Sequence, residues 1–141
     1  MFIAGQHIIV DMFEIDESKF IQLSEEHFES FDKQVETMLS ENSMSLLGKT
    51  IHHFDCNYVG AMTCLYLLSE SHLSMHTWPE KRYISLDCYT CGVCNTQNLV
   101  NGIIQLFQPQ RVKQTSMQRG GIEPKLVITN YIQNGDMYIA T

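Results

Sequence analysis

Hydrophobic and polar residues alternate with a period of two over residues 2–13, where Ile8, Val10 and Met12 interleave with Ile9, Asp11 and Phe13. That period predicts a strand with both faces partly buried and a bulge or bend at Gly5. After Asp16 the period lengthens. Over residues 17–39 the apolar side chains Phe20, Leu23, Phe28, Phe31, Val35 and Met38 recur every three to five positions among acidic, Lys and Gln residues. This predicts one main amphipathic helix whose Phe stripe faces the core, with Asp16 or Ser18 placed to cap its start. Short apolar runs at 50–54, 61–68, 73–77 and 83–89 have the length of strands and are separated by polar or Pro-containing turns. A second helix is predicted over 96–107, presenting Leu99, Val100, Ile103, Ile104 and Phe107 on one broad face behind an Asn95 cap. Beyond Pro109, residues 111–117 and 125–132 read as strands, and Asn134-Gly135 signals a tight turn before a last strand at 137–140. The order strand, helix, strands, helix, strands predicts an α+β architecture, an antiparallel sheet with its helices collected on one face.

Composition narrows the setting. The chain has 141 residues, 44% of them hydrophobic, the size of one ordinary domain with one core, and no repeat, low-complexity run or Pro/Gly-rich linker divides it. A single domain spanning 1–141 is expected. The formal charge of −7 and the scattered Lys and Arg leave no basic stripe to neutralise successive phosphates, so nucleic acid is not an expected partner. Apolar stretches of about eight to ten residues fall short of the roughly 20 that cross a bilayer, so no membrane span is expected. The N-terminal MFIAGQHIIVDMF lacks a basic leader and turns acidic at Asp11 and Glu14, which argues against a secretory signal. Five cysteines do not close a disulfide framework, so free thiols and a cytoplasmic location are expected.

Chemistry concentrates in Leu68-Ser-Glu-Ser-His-Leu-Ser-Met-His-Thr-Trp-Pro-Glu80 and then Asp87-Cys-Tyr-Thr-Cys-Gly92. Ser71, with His72 and His76 nearby, has the composition of a nucleophile with a general base, because a hydroxyl must lose its proton to attack a carbonyl. A Ser beside a His is also an ordinary hydrogen-bonded structural pair, and spacing alone leaves both readings open. Cys88, Cys91 and Cys94 form C-x-x-C-x-x-C and, with His52 and His53, supply donor types suited to zinc or an iron–sulfur cluster. Alternation along a strand turns Cys88 and Cys91 to opposite faces, however, so no metal is expected, and Cys64 and Cys88 are read as small buried hydrophobes. His7, His27, His52, His53 and His72 are read as surface or hydrogen-bonded structural residues.

The pattern S-E-S-H-L-x-x-H-T-W-P-E followed by T-C-G resembles the processing and catalytic signature of the small, prokaryotic-type S-adenosylmethionine decarboxylases. Gly5-Gln-His7 and Gln118-Arg-Gly120 look like further landmarks of that family. The resemblance implies a precursor that cuts itself between Glu70 and Ser71. The Ser71 hydroxyl would attack the Glu70 carbonyl, the peptide bond would become an ester, and β-elimination would break the chain into a β-fragment, 1–70, and an α-fragment, 71–141. The new N-terminus would hydrolyse to a pyruvoyl group, the cofactor that forms a Schiff base with the substrate amine and serves as electron sink for decarboxylation. The same resemblance implies His76 as the processing base, a role suited to an unperturbed pKa of about 6.5. It implies Thr63 as a hydroxyl that aids processing where relatives often carry Ser, and Cys91 as the proton donor to the substrate α-carbon. Phe54 or Tyr58 would stack on adenine, and Leu73 and Glu80 would lie near the substrate.

The implied protomer is a two-layer α/β unit that pairs about a twofold axis into a homodimeric, four-layer αββα sandwich with sites built from both subunits. The implied reaction converts S-adenosylmethionine to the aminopropyl donor for spermidine. Residues 54–63, Phe-Asp-Cys-Asn-Tyr-Val-Gly-Ala-Met-Thr, depart from the family's Phe-x-Pro-x-Gly loop in length and lack its proline. A pyruvoyl group accepts any α-amino acid that its pocket positions, so decarboxylation of arginine or ornithine on the same scaffold stands as an alternative. An unprocessed, non-catalytic ligand- or metal-binding domain stands as the alternative of another class.

Overall fold

The computed structural model describes residues 4–122 and 125–141, so Phe2 and Ile3, at the start of the first predicted strand, lie outside the described residues. The chain runs β1 (Gly5–Phe13), a 3-10 segment (Glu17–Leu23), α1 (Phe28–Glu41), β2 (Leu46–His53), β3 (Met62–Leu68) and β4 (Ser71–Trp78). A short 3-10 turn (Pro79–Lys81) leads to β5 (Tyr83–Thr90), α2 (Thr96–Phe107), β6 (Arg111–Arg119), β7 (Lys125–Asn134) and β8 (Met137–Ala140). The strands form one sheet in the order β2-β3-β4-β5-β1-β6-β7-β8, and every neighbouring pair is antiparallel.

Alternation explains why the helices gather on one side. Ile8, Val10 and Met12 of β1, Ile84, Leu86 and Cys88 of β5, and Leu73 and Met75 of β4 are buried on one face. Against them pack Phe28, Phe31, Val35 and Leu39 of α1 and Leu99, Val100, Ile103 and Phe107 of α2. Phe31 and Phe107 meet across the two helices with ring centroids 5.7 Å apart. Each such buried side chain contributes about 1.5–3 kcal/mol by leaving water, so this single seam is the main source of stability. The residues between them, His7, Ile9 and Asp11 on β1 or His72, Ser74 and His76 on β4, lie on the other face, which no helix among the described residues covers. The α+β arrangement with helices on one face agrees with the hydrophobic pattern.

The predicted helix over 17–39 is instead two pieces. Asp16 caps the first by accepting the Ser18 N–H at 2.9 Å, but Ser24 turns extended and α1 starts only at Phe28. The cause is visible in the spacing: Leu23 to Phe28 is five residues, which on a continuous helix would swing Phe28 off the apolar stripe. Phe20 and Leu23, three apart, suit the 3-10 period and are both buried. The second helix occupies the predicted span, and the Asn95 side chain accepts the Asn98 N–H at 3.0 Å. The last hairpin turns on Gly135-Asp136, one residue beyond the expected pair, because Asn134 still pairs with Met137 and Gly135 takes the positive φ of 65°.

At the edge of the sheet, Lys49 of β2 is paired with both Asp32 and Glu36 of α1. The Tyr66 hydroxyl of β3 donates to Asp32 at 2.8 Å, and burial together with that carboxylate pushes the phenol far up. In the interior of the sheet, at the start of β1, Gly5 allows a close backbone approach: a Cβ there would lie 2.1 Å from the Thr90 carbonyl oxygen and 3.1 Å from the Cys91 Cα. Gly5→Ala is therefore expected to destabilise the uncut precursor by about 1–3 kcal/mol. A lowered urea midpoint, measured in a Ser71→Ala background so that cleavage does not intervene, checks this.

Candidate active site

The turn between β3 and β4 consists of Ser69 and Glu70 alone, because Leu68 pairs directly with Ser71. Ser71 pairs on its other side with Thr90, and the next backbone N–H, that of Cys91, donates to the Glu70 carbonyl oxygen at 3.0 Å. Clamped on both sides, Ser71 adopts φ 148°. Such a conformation in a non-glycine residue costs on the order of 1–3 kcal/mol and persists only where the surroundings impose it. The strained residue is the one expected to be the nucleophile, and the polarised carbonyl is its expected target.

The Glu70 side chain takes no part in activating that hydroxyl. Its carboxylate accepts the Ser45 N–H at 2.7 Å and the Ser69 hydroxyl, which together hold it below the usual carboxylate range. The Ser71 Oγ instead lies 3.2 Å from His72 Nδ1. On the far side of the imidazole, His72 Nε2 is 3.2 Å from Asp87 Oδ1, and His7 Nε2 is 2.8 Å from the same oxygen. A carboxylate accepts, so Asp87 suits the tautomer in which each ring donates its Nε2–H, and in that tautomer His72 turns an acceptor Nδ1 toward the serine.

Tyr89 backs this cluster, with ring centroids 5.3 Å from His7 and 6.1 Å from His72, and the Arg119 guanidinium carbon sits 4.5 Å above the Tyr89 ring. His7, His72 and Asp87 place their donor atoms within 4.8 Å of one another, the one grouping of metal-ligand type among the described residues. Both Nε2 atoms already hydrogen-bond to the carboxylate that would have to bridge an ion.

Sequence reasoning passed over Asp87 and set His7 and His72 aside as surface or hydrogen-bonded structural residues. Asp87 sits diagonally across from both imidazoles, since Tyr89 pairs with His7 on one side and with His72 on the other. Only the order β4-β5-β1, which joins residues 80 positions apart, brings them together. The signal that was available is that all three lie on positions facing away from the helix-covered core.

The remaining predicted residues divide between two places. Glu70, Ser71 and Cys91 stand together, with Cys91 exposed at the end of β5. Thr63 and His76 pair with each other across β3 and β4, with Thr63 Oγ1 3.1 Å from His76 Nδ1. Five strand positions separate His76 from Ser71, about 17 Å along an extended chain, so the two do not meet within one protomer. Near the Thr63 end lie Phe54, whose ring contacts His52 at 4.7 Å between centroids, and an open cleft of about 520 Å³ lined by Tyr58 and Glu80. The Leu73 side chain is on neither side of this division: it is buried at 2% exposure in the helix-side core. The C-x-x-C-x-x-C residues are likewise dispersed, Cys88 in the core and Cys91 on the surface.

Fold and site together define an α+β protein with a serine hydroxyl set against the carbonyl that precedes it. A profile of the S-adenosylmethionine decarboxylase family matches residues 6–120. The chain is 35% identical over 117 residues to S-adenosylmethionine decarboxylase proenzyme 2 of Bacillus cereus, covering 82% of this chain and 89% of that one. It is also 35% identical over 117 residues to the S-adenosylmethionine decarboxylase proenzyme of Sulfurihydrogenibium sp., covering 82% of each. Among solved structures, the adenosylmethionine decarboxylase of Aquifex aeolicus matches with a TM-score of 0.69 at 26% identity, over 84% of this chain and 92% of that one. A Trypanosoma brucei AdoMetDC monomer shares the fold at a TM-score of 0.56 and 10% identity, over 82% of this chain and 47% of that one. The chain belongs to the S-adenosylmethionine decarboxylase family.

Burial separates the cysteines chemically. The thiols of Cys64 and Cys88 are pushed up to about 12, chiefly by burial, whereas Cys56 and Cys91 are exposed. Iodoacetamide at pH 8 is expected to label Cys56 in the folded precursor and to reach Cys64 and Cys88 only after unfolding, which peptide mapping of the alkylated protein checks.

Proposed function

We propose that this chain is a self-cleaving precursor whose pyruvoyl group, made from Ser71, decarboxylates S-adenosylmethionine to the aminopropyl donor for spermidine. The observation that carries the reading is the Glu70-Ser71 bond itself: a strained serine 3.2 Å from an imidazole nitrogen, and a carbonyl polarised by the Cys91 N–H at 3.0 Å. The domain 1–141 is cut into the β-fragment 1–70 and the α-fragment 71–141. Cys91, beside the new N-terminus, returns a proton to the α-carbon, and His76 with Thr63 serves the elimination that precedes it.

That assignment requires a second subunit. His76 lies about 17 Å along β4 from its own Ser71, so it reaches a serine only across a dimer. The open sheet face supports such pairing, because Leu65, Leu67, Ile128, Ile132 and Ile139 expose large apolar surfaces there with no helix among the described residues above them. Two protomers facing each other about a twofold axis form a four-layer αββα sandwich, with the Ser71 end of each sheet against the His76 end of the other. Phe54 and Tyr58, each about half exposed, then present aromatic faces for adenine, and Glu80 offers a carboxylate to the cationic substrate. Free thiols at all five cysteines, and the absence of any helix long and apolar enough to cross a membrane among the described residues, fit a cytoplasmic enzyme.

On a denaturing gel the 16.3 kDa chain is expected to give way to two fragments of about half that mass, and Ser71→Ala to remain a single species. Carbon dioxide is expected from carboxyl-labelled S-adenosylmethionine; release from arginine or ornithine alone would move the assignment to those substrates. Subunit mixing tests the shared site. Neither Ser71→Ala nor His76→Ala should be cut alone, whereas co-expression should restore cleavage of the His76→Ala chain.

A further inference from the structure

We infer that His72, held by Asp87, is the base that activates the Ser71 hydroxyl for the first step of self-cleavage, leaving His76 to the later elimination. The inference rests on the self-cleavage reading and deepens it by assigning the two steps to different histidines. His72 Nδ1 lies 3.2 Å from the Ser71 Oγ, within reach of the proton that must leave, and no comparable contact joins His76 to that serine within the protomer. Asp87 fixes the useful tautomer by accepting from Nε2 at 3.2 Å, and His7, 2.8 Å from the same carboxylate oxygen, anchors Asp87 from the neighbouring strand. His72 is catalytic in this scheme because it touches the reacting oxygen. Asp87 and His7 are positioning residues.

The step balances without any added reagent. The Ser71 O–H bond breaks, its proton passes to His72 Nδ1, and the oxygen's electron pair forms a bond to the Glu70 carbonyl carbon. The carbonyl π pair moves onto the Glu70 oxygen, where the Cys91 N–H, already 3.0 Å away, stabilises the developing charge. Collapse of that tetrahedral species breaks the C–N bond, and the proton held by His72 returns to the Ser71 nitrogen. The products are an ester at Glu70 and a free amine at Ser71. At this point His72 is neutral again, and elimination across Cα–Cβ of Ser71 needs a different base.

Because esters are cut by hydroxylamine and folded amides are not, the two steps can be read separately. His76→Ala is expected to stop at the ester, so that hydroxylamine splits it between Glu70 and Ser71. His72→Asn keeps an acceptor near the serine but cannot carry its proton, and in the His72→Asn/His76→Ala double variant the hydroxylamine-sensitive ester should form roughly 100-fold more slowly or worse. His72 is a third exposed on the open face, so the substitution leaves the core untouched. Imidazole in the buffer should restore part of the lost rate to His72→Ala, which a purely structural role would not allow. Asp87→Asn should slow ester formation by about tenfold in the wild-type background and add nothing to His72→Asn, as expected of residues acting as one unit. Ester formation in the double variant within about threefold of His76→Ala, or an Asp87→Asn loss of equal size in both backgrounds, overturns the assignment. A wild-type precursor that stays uncut and insensitive to hydroxylamine overturns the self-cleavage reading instead.

Discussion

The pairing of β5 between β4 and β1 is the constraint from which the site follows. One register places Leu86 and Cys88 under the helices, sets Asp87 between His72 and His7 on the open face, and brings the Cys91 N–H onto the Glu70 carbonyl. Side chains alternate with a period of two, so a slip of one residue would send Asp87 into the apolar core and lift Cys88 out of it. Desolvation of the carboxylate forbids that alternative. The same hydrophobic alternation that builds the core therefore fixes the catalytic geometry, and the tolerance for error at the site is the tolerance of the core.

That register also explains how a serine is held in a conformation it would not choose. Ser71 ends a two-residue turn and is paired with Leu68 on one side and Thr90 on the other, so neither strand can relax without giving up ladder hydrogen bonds. Strain of about 1–3 kcal/mol is a sizeable fraction of the roughly 5–15 kcal/mol by which a domain is stable, and it is concentrated at one peptide bond. Formation of the ester, and then cleavage, removes the backbone restraint that stores it. Gly5 belongs to the same device, since only a residue without a Cβ lets β1 approach Thr90 and Cys91 closely enough to close the ladder there.

Much of this was legible in the chain. Alternation located β1, short apolar runs between turns located β3, β5 and the C-terminal strands to within a few residues, and the 96–107 helix with its Asn95 cap matched fully. The break near Ser24 is less legible, since six apolar residues spaced three to five apart resemble one stripe, although a five-residue gap does not keep phase on a helix. For the site, the dense motif around Ser71 marked Glu70, Ser71 and Cys91 as neighbours, and they are. It could not mark His7 and Asp87 as partners of His72, because that contact depends on which strand lies beside β5, a property of topology rather than of local pattern. Nor does a motif that runs without a gap from Ser71 to His76 reveal that an extended strand carries its two ends far apart.

This separation has a chemical logic. Acyl shift needs a base, a hydroxyl and an oxyanion donor on adjoining strands of one sheet, and His72, Ser71 and the Cys91 N–H meet that requirement within one protomer. Elimination needs a base at the α-carbon of Ser71, and the residues suited to it, His76 with Thr63 at 3.1 Å, stand at the far end of the same strands. If a single protomer held both, the precursor could cut itself while still unpaired, exposing an electrophilic ketone on an open sheet face to any amine. In the proposed dimer, a second base on the facing subunit would make completion of the cofactor conditional on assembly. In that arrangement the ketone would form inside a closed, water-poor interface, where it meets its substrate rather than the surrounding solution.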